Sequence, residues 1–248
     1  MKTIGVIPAR FASTRFPGKV LADIEGKPLI RHVWEKATLC KELDEVLIAC
    51  DHQEIFKAAQ NFKARVLMTD PTHPSGSDRI AEAVKNLNVD IVVNIQGDEP
   101  FIDSRTIDAL AVLLKQDTNI MMGTVIKHIT DKADLLNPHV VKCVVDARGD
   151  ALYFSRAPIP YHRDGISLGA ICFKHLGLYA YRKDFLMEFT HWPKGALESI
   201  EELEQLRALE RGVKIKTTVT AHESMAVDTP QDLQKAIKWF AQLKLMTK

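Results

Sequence analysis

Residues 91–100 read IVVNIQGDEP, and this stretch decides the fold. Its first half, IVVNI, is a β-branched run without polar alternation, the pattern of a strand buried on both faces. Gln96-Gly97-Asp98 then breaks the run where such a strand would leave its sheet. Strands covered on both faces belong to parallel sheets flanked by helices, so helical segments are expected on either side. Both are legible. Residues 77–86 have helical spacing, with Ser77 a candidate N-cap. Residues 104–116 follow, with Ser104 as cap and Ile107, Leu110, Ala111 and Leu114 as the inner face.

Working outward, residues 3–7 (TIGVI), 46–49 (VLIA) and 65–68 read as strands, and residues 28–39 and 54–61 as helices. The alternation predicts an α/β fold: a Rossmann-like, mostly parallel sheet with helices on both faces. In such sheets functional loops lie at the carboxyl ends of strands, here after Ile7 and after Ile95. The middle differs. Residues 140–146 and 151–155 flank a turn in which Gly149 supplies positive φ, and residues 175–181 read as another strand. Residues 128–195 are therefore expected to form an antiparallel insertion, a lid or dimerisation arm. A helix over 197–209, a strand over 213–219 and a helix over 230–243, with Pro230 in its first turn, complete the chain. One domain over 1–248 is expected, with both of those strand-end loops inside residues 1–127.

Composition narrows the function classes. Lys plus Arg total 33 and Asp plus Glu 32 in 248 residues, a net charge of +1, which argues against a broad nucleic-acid surface. No stretch approaches the roughly 18 apolar residues of a membrane span, and the N-terminal apolar run is too short for a signal peptide. A cytoplasmic protein is expected. Cys40, Cys50, Cys143 and Cys172 show no metal-ligand spacing and read as unpaired thiols.

Residues 8–19, PARFASTRFPGK, crowd Arg10, Arg15 and Lys19 among small residues. A solvated face would accommodate three mutually repelling cations. A polyphosphate would also do so, cradled by backbone N–H groups and neutralised by the cations. Walker A is absent, because Val20 follows Gly18-Lys19, and so is GxGxxG. Asp98 and Glu99 sit in a turn that is either simply solvated or a divalent-metal site. Asp228, in MAVDTP, is either an N-cap or a second metal carboxylate.

The loop resembles the signature of the sugar nucleotidyltransferases, a strand ending in PAR followed by S-T-R-x-P-G-K. The resemblance implies a glycosyltransferase-A-like sheet. It implies a nucleoside triphosphate held by Ala9, Arg10, Ser13, Arg15, Gly18 and Lys19, with Arg10, Arg15 and Lys19 stabilising the departing pyrophosphate. QGDEP with a C-terminal VDTP resembles the branch that activates keto-sugar acids, which implies Mg²⁺ on Asp98 and Asp228. HPSGSDR (73–79) implies nucleotide contacts at Ser75 and Gly76, with Asp78 capping the next helix. ALYFSRAPIP (151–160), KHLGLYAY (174–181) and LEQLR (203–207) extend the likeness over nearly the whole chain. They imply that Gln96, Arg156, His175, Tyr179, Glu204 and Gln205 bind the sugar acid. Phe16 and Tyr161 depart from the common pattern. CTP and 3-deoxy-manno-octulosonate (KDO) are the implied substrates, in a homodimer serving lipopolysaccharide synthesis. Related acids (an 8-amino analogue, a sialic acid), a sugar-phosphate acceptor and a non-catalytic nucleotide-binding module are the alternatives.

Overall fold

The computed structural model describes residues 1–12, 16–165, 168 and 171–246. In chain order the strands are β1 (Thr3–Ala9), β2 (Asp23–Ile24), β3 (Lys27–Pro28), β4 (Glu45–Cys50), β5 (Arg65–Met68), β6 (Ile91–Asn94), β7 (Met122–His128), β8 (Lys142–Val145), β9 (Ala151–Ser155), β10 (Phe173–Arg182) and β11 (Ile215–Val219). The helices are α1 (Leu29–Ala37), α2 (Gln53–Asn61), α3 (Gly76–Val84), α4 (Ser104–Gln116), α5 (Lys132–Leu136), α6 (Lys183–Phe189), α7 (Ala196–Glu201), α8 (Leu206–Glu210) and α9 (Pro230–Met246).

The main sheet has the order β11-β7-β10-β6-β1-β4-β5. The pairs β6–β1, β1–β4, β4–β5 and β7–β11 are parallel, while β10 runs antiparallel to both β6 and β7. Side chains alternate between two cores, as the strand period of two requires. Ile4, Val6, Leu47 and Val92 pack on the α3 and α6 side, while Ile7, Ile48, Ile91 and Val93 pack on the α1 and α4 side. Both faces are dry, which explains why β6 reads as an apolar run up to Asn94 at its end.

Several details differ from the sequence reading. The cap of α3 is Ser75, whose Oγ accepts from the Asp78 N–H, and Ser77 lies inside the first turn. The cap of α4 is Asp103. The helix expected over 197–209 is two helices, parted where Glu202 adopts left-handed φ of 53°. Glu204 and Gln205 therefore sit in a turn rather than on one continuous helix face. Of the antiparallel middle, β8 and β9 form the expected hairpin, with Gly149 at φ 80°. β10, in contrast, is an integral strand of the main sheet. β7 was not expected at all: its Gly123 weakens the strand pattern, and it packs directly under Leu110, Leu113 and Leu114 of α4. No helix among the described residues is long and apolar enough to cross a membrane.

Candidate active site

The carboxyl ends of the neighbouring strands β1 and β6 frame a cleft of about 280 Å³. Pro8, Ala9 and Arg10 line it from the end of β1, and Gln96, Gly97 and Asp98 from the end of β6. The two loops touch. A Cβ on Gly97 would lie 2.7 Å from the Pro8 carbonyl oxygen, so an alanine there would force the loops apart. Gly97 is needed for this close approach. Ser75 and Gly76, at the N-terminus of α3, form a further wall, where backbone N–H groups and the helix dipole favour an anion. Gly18 takes φ of 66° and donates its N–H to the Phe11 carbonyl at 2.9 Å, closing the loop over the described part of its course. Arg10 stands exposed on the rim. Ser13 and Arg15 lie outside the described residues.

Asp98 and Asp228, distant in sequence, converge on the Lys19 ammonium. Its Nζ donates to Asp98 Oδ2, and to Asp228 Oδ1 at 2.8 Å. Burial opposes the charge on Lys19, but Asp98 and then Asp228 outweigh burial and raise its pKa above 10.5. The backbone joins the two acidic segments as well, since Val227 N–H donates to the Asp98 carbonyl at 2.9 Å. Phe101, just beyond Asp98, stacks on Trp239 of α9 with ring centroids 4.2 Å apart, which fastens the helix that follows Asp228. Burial lifts the Glu99 carboxyl to about 7. The hydroxyl of Ser224, donating at 2.6 Å, partly offsets this, and the nearby Asp98 and Asp228 add to it.

A second cleft, of about 510 Å³, adjoins the first and shares Gln96 and Asp98 with it. His175, Tyr179, Glu204 and Gln205 line it. A β-bulge in β10 between Leu176 and Tyr179 carries that strand past the end of β6, where the Gly177 carbonyl accepts from Gln96 Nε2 at 2.8 Å. Glu204 Oε2 accepts from Ser77 Oγ at 2.6 Å. Glu204 Oε1 and Gln205 Nε2 are buried with no hydrogen-bond partner among the described residues. Such groups are costly unless a ligand's polar atoms satisfy them. His175 Nε2 lies 2.9 Å from Thr124 Oγ1, and the ring meets Phe154 edge-on.

Burial pushes the His175 imidazole down from 6.5 to about 3, so it is neutral in the folded protein at neutral pH. The unfolded chain takes up this proton near 6.5 and the folded chain does not. Stability from His175 is thus complete above 6.5 and lost as pH falls towards 3. Urea titrations between pH 7 and 4 are expected to show a shallower acid decline for His175→Gln than for the wild type. Parallel declines would contradict a neutral, buried imidazole.

The chain matches the cytidylyltransferase family over residues 4–215. It belongs to that family. Two curated relatives, both 3-deoxy-manno-octulosonate cytidylyltransferases, match it closely. The protein of Solibacter usitatus is 50% identical, covering 96% of this chain and 94% of the relative. That of Geobacter sulfurreducens is 48% identical, covering 96% and 99%. Among solved structures, a CMP:2-keto-3-deoxy-manno-octonic acid synthetase complexed with CTP superposes with a TM-score of 0.93 at 41% identity, covering 98% of this chain and 99% of the other. A putative glucose-1-phosphate thymidylyltransferase from Bacillus anthracis shares the fold at 16% identity and a TM-score of 0.65.

One residue assigned to the sugar acid, Arg156, is not among the side chains that line the second cleft of this cytidylyltransferase. The Arg156 guanidinium donates to the backbone carbonyls of Glu201 at 2.8 Å and Pro138 at 3.2 Å, and it does not line the second cleft. The arginine braces the wall behind that cleft. The cation that does line it is Lys174, held by Asp134 at 3.0 Å and Glu223 at 3.3 Å. Sequence reading also passed over the Asp51–Arg79 pair. Arg79 on α3 meets Asp51 at 2.9 Å, with both side chains buried, and Asp51 accepts the Phe11 N–H at 2.8 Å. The only sequence signal was the arginine closing HPSGSDR; nothing near Asp51 marked its partner.

Proposed function

We propose that this cytidylyltransferase transfers CMP from CTP to the anomeric hydroxyl of KDO and releases pyrophosphate. The observation that carries this reading is the junction of two clefts at Asp98. One is walled by a helix N-terminus and Arg10, the other by polar side chains suited to a polyhydroxylated acid. The relatives' shared name supports the choice of acceptor. The 1–127 segment supplies every lining residue of the first cleft, which supports its assignment to the nucleotide.

In this reading the N–H groups of Ser75 and Gly76 and the Arg10 guanidinium receive the triphosphate. Lys19 spreads positive charge over the acidic pair and towards the leaving pyrophosphate, with Arg15 as the further cation assigned there. Gln96, Tyr179, Glu204 and Gln205 orient the sugar so that its anomeric hydroxyl meets the α-phosphorus in line. Phosphoryl-type transfer requires mainly such positioning and charge neutralisation.

The acidic pair also fits Mg²⁺. Two carboxylates already converge on one cation in Lys19, and Mg²⁺ takes one or two carboxylates while substrate phosphates and water complete its shell. No cluster of three or more His, Cys, Asp or Glu occurs among the described residues, which suits a metal shared with substrate better than a closed protein cage. Asp98 and Asp228 would hold the ion, which when bound would supply Lewis acidity to the phosphate and to the attacking hydroxyl.

Lys174, the lysine that lines the second cleft, is the nearer candidate for the acceptor carboxylate. Lys174→Met is expected to raise the KM for KDO on the order of ten-fold while leaving the KM for CTP unchanged; an unchanged KDO response would return that role to another cation. Leu136, Leu152, Tyr161 and Ile171 are exposed apolar side chains within residues 128–195, which supports a homodimer through this region. The released CMP-sugar would serve glycosyl transfer in lipopolysaccharide synthesis.

Acceptor choice is tested by pyrophosphate release from CTP and Mg²⁺ with KDO, its 8-amino analogue or sialic acid. The largest kcat/KM is expected with KDO. A preference for another acid would move the specificity while keeping the chemistry.

A further inference from the structure

The first turn of α3 faces two ways. Ser75 and Gly76 line the nucleotide cleft, while the Ser77 side chain turns into the protein and is only 2% exposed. Its hydroxyl donates to Glu204 Oε2 at 2.6 Å, across 127 residues of sequence. Glu204 and Gln205 both line the second cleft, so this bond ties the α3 turn to that cleft's wall. Gln96 Nε2 in turn reaches Asn94 Oδ1 at 3.3 Å. Polar side chains thus pair at both ends of the cleft wall, Gln96 with Asn94 and Ser77 with Glu204.

Glu204 depends on this contact more than a helical residue would. It stands in the turn between α7 and α8, two residues after the left-handed Glu202, and only its carbonyl is held by the start of α8, where it accepts the Arg207 N–H at 3.1 Å. Arg207 comes no closer than 3.8 Å to its other oxygen, beyond hydrogen-bond range. Ser77 lines neither of the two clefts.

We infer that Ser77 is a positioning residue for the acceptor site: its hydroxyl fixes the Glu204 carboxylate and ties that carboxylate to the helix turn that receives the nucleotide. This rests on the proposed function, in which Glu204 reads an acceptor hydroxyl. The nucleotide acts on one side of the α3 turn and the acceptor feels the other through one hydrogen bond. Disturbing that bond is felt by the acceptor and spares the nucleotide, because the Ser75–Gly76 backbone is untouched.

The test is a double-mutant cycle with steady-state kinetics on KDO and CTP, using Ser77→Ala, Glu204→Ala and the double variant. A hydrogen bond to a charged group is worth enough that Ser77→Ala is expected to raise the KM for KDO on the order of ten-fold, with the KM for CTP and the melting temperature close to wild type. In the Glu204→Ala background the same substitution is expected to add nothing further. An unchanged KDO KM, or an equal penalty in both backgrounds, overturns the inference. If Ser77→Ala melts early, Ser77→Cys keeps the volume with a much weaker donor and should show the same split. A crystal structure of the Ser77 variant gives a readout independent of the acceptor's identity. A displaced Glu204 carboxylate is expected, and an unmoved one contradicts the inference. A wild-type enzyme inactive on KDO would instead contradict the acceptor assignment, so the two failures are distinguishable.

Discussion

Asp98→Asn is expected to lower kcat on the order of a thousand-fold, the scale seen when one preorganised electrostatic partner is lost from a transition state. The argument begins with location. Asp98 lines both clefts and shares the Lys19 ammonium with Asp228. An amide is nearly isosteric and still accepts a hydrogen bond from Lys19, so the fold should survive with little change in melting temperature. What is lost is a formal charge at the point where positive charge must be held against the triphosphate. The affinity for Mg²⁺ should fall with it. Steady-state kinetics across a Mg²⁺ titration check this: near-wild-type kcat at saturating metal would remove Asp98 from the chemistry.

Arg79→Met is expected to destabilise the fold by about 3–5 kcal/mol, the cost of leaving one member of a buried ion pair uncompensated. Asp51 and Arg79 are both buried, and the guanidinium also donates to Thr69 Oγ1 at 2.6 Å. Methionine fills much of the volume but leaves the Asp51 carboxylate facing an apolar side chain. That carboxylate also holds the Phe11 N–H through its other oxygen, so a shift of Asp51 is felt by the nucleotide loop as well as by the helix. Urea unfolding should show the loss, and KM for CTP should rise in the fraction that folds. A change below about 1 kcal/mol, the size of an ordinary substitution, would mean that the pair is not an anchor.

The parts of this architecture that follow from local periodicity were legible in the sequence. β5 falls on the expected residues 65–68, and β6 differs by one residue, because β6 is a buried parallel strand that writes itself as an apolar run and the half-buried edge strand β5 keeps a short apolar centre. The loops after β1 and β6 could be singled out because strand ends carry function in such sheets. Other features rest on pairings that no local pattern records. Asp98 and Asp228 meet through β-sheet order and the docking of α9, and only the family resemblance joined them. The break between α7 and α8 was hidden because Glu202, Leu203, Glu204 and Gln205 are ordinary helix formers, and nothing in them signals a left-handed residue. The contacts of Arg156 were hidden for a similar reason. An arginine's residue type fits a carboxylate, yet here it satisfies backbone carbonyls that become visible only once the turn after α7 is in place. The Asp51–Arg79 pair escaped notice because its members sit on separate βα units.

The most direct measurement of the central claim follows two products in one sample. Purified protein is incubated with CTP, KDO and Mg²⁺, and pyrophosphate and CMP-linked sugar are quantified together, with parallel reactions lacking KDO or containing EDTA. The account predicts equal amounts of both products, and neither without KDO or with the metal chelated. Pyrophosphate release that ignores KDO, or CTP binding with no turnover on KDO, would contradict it.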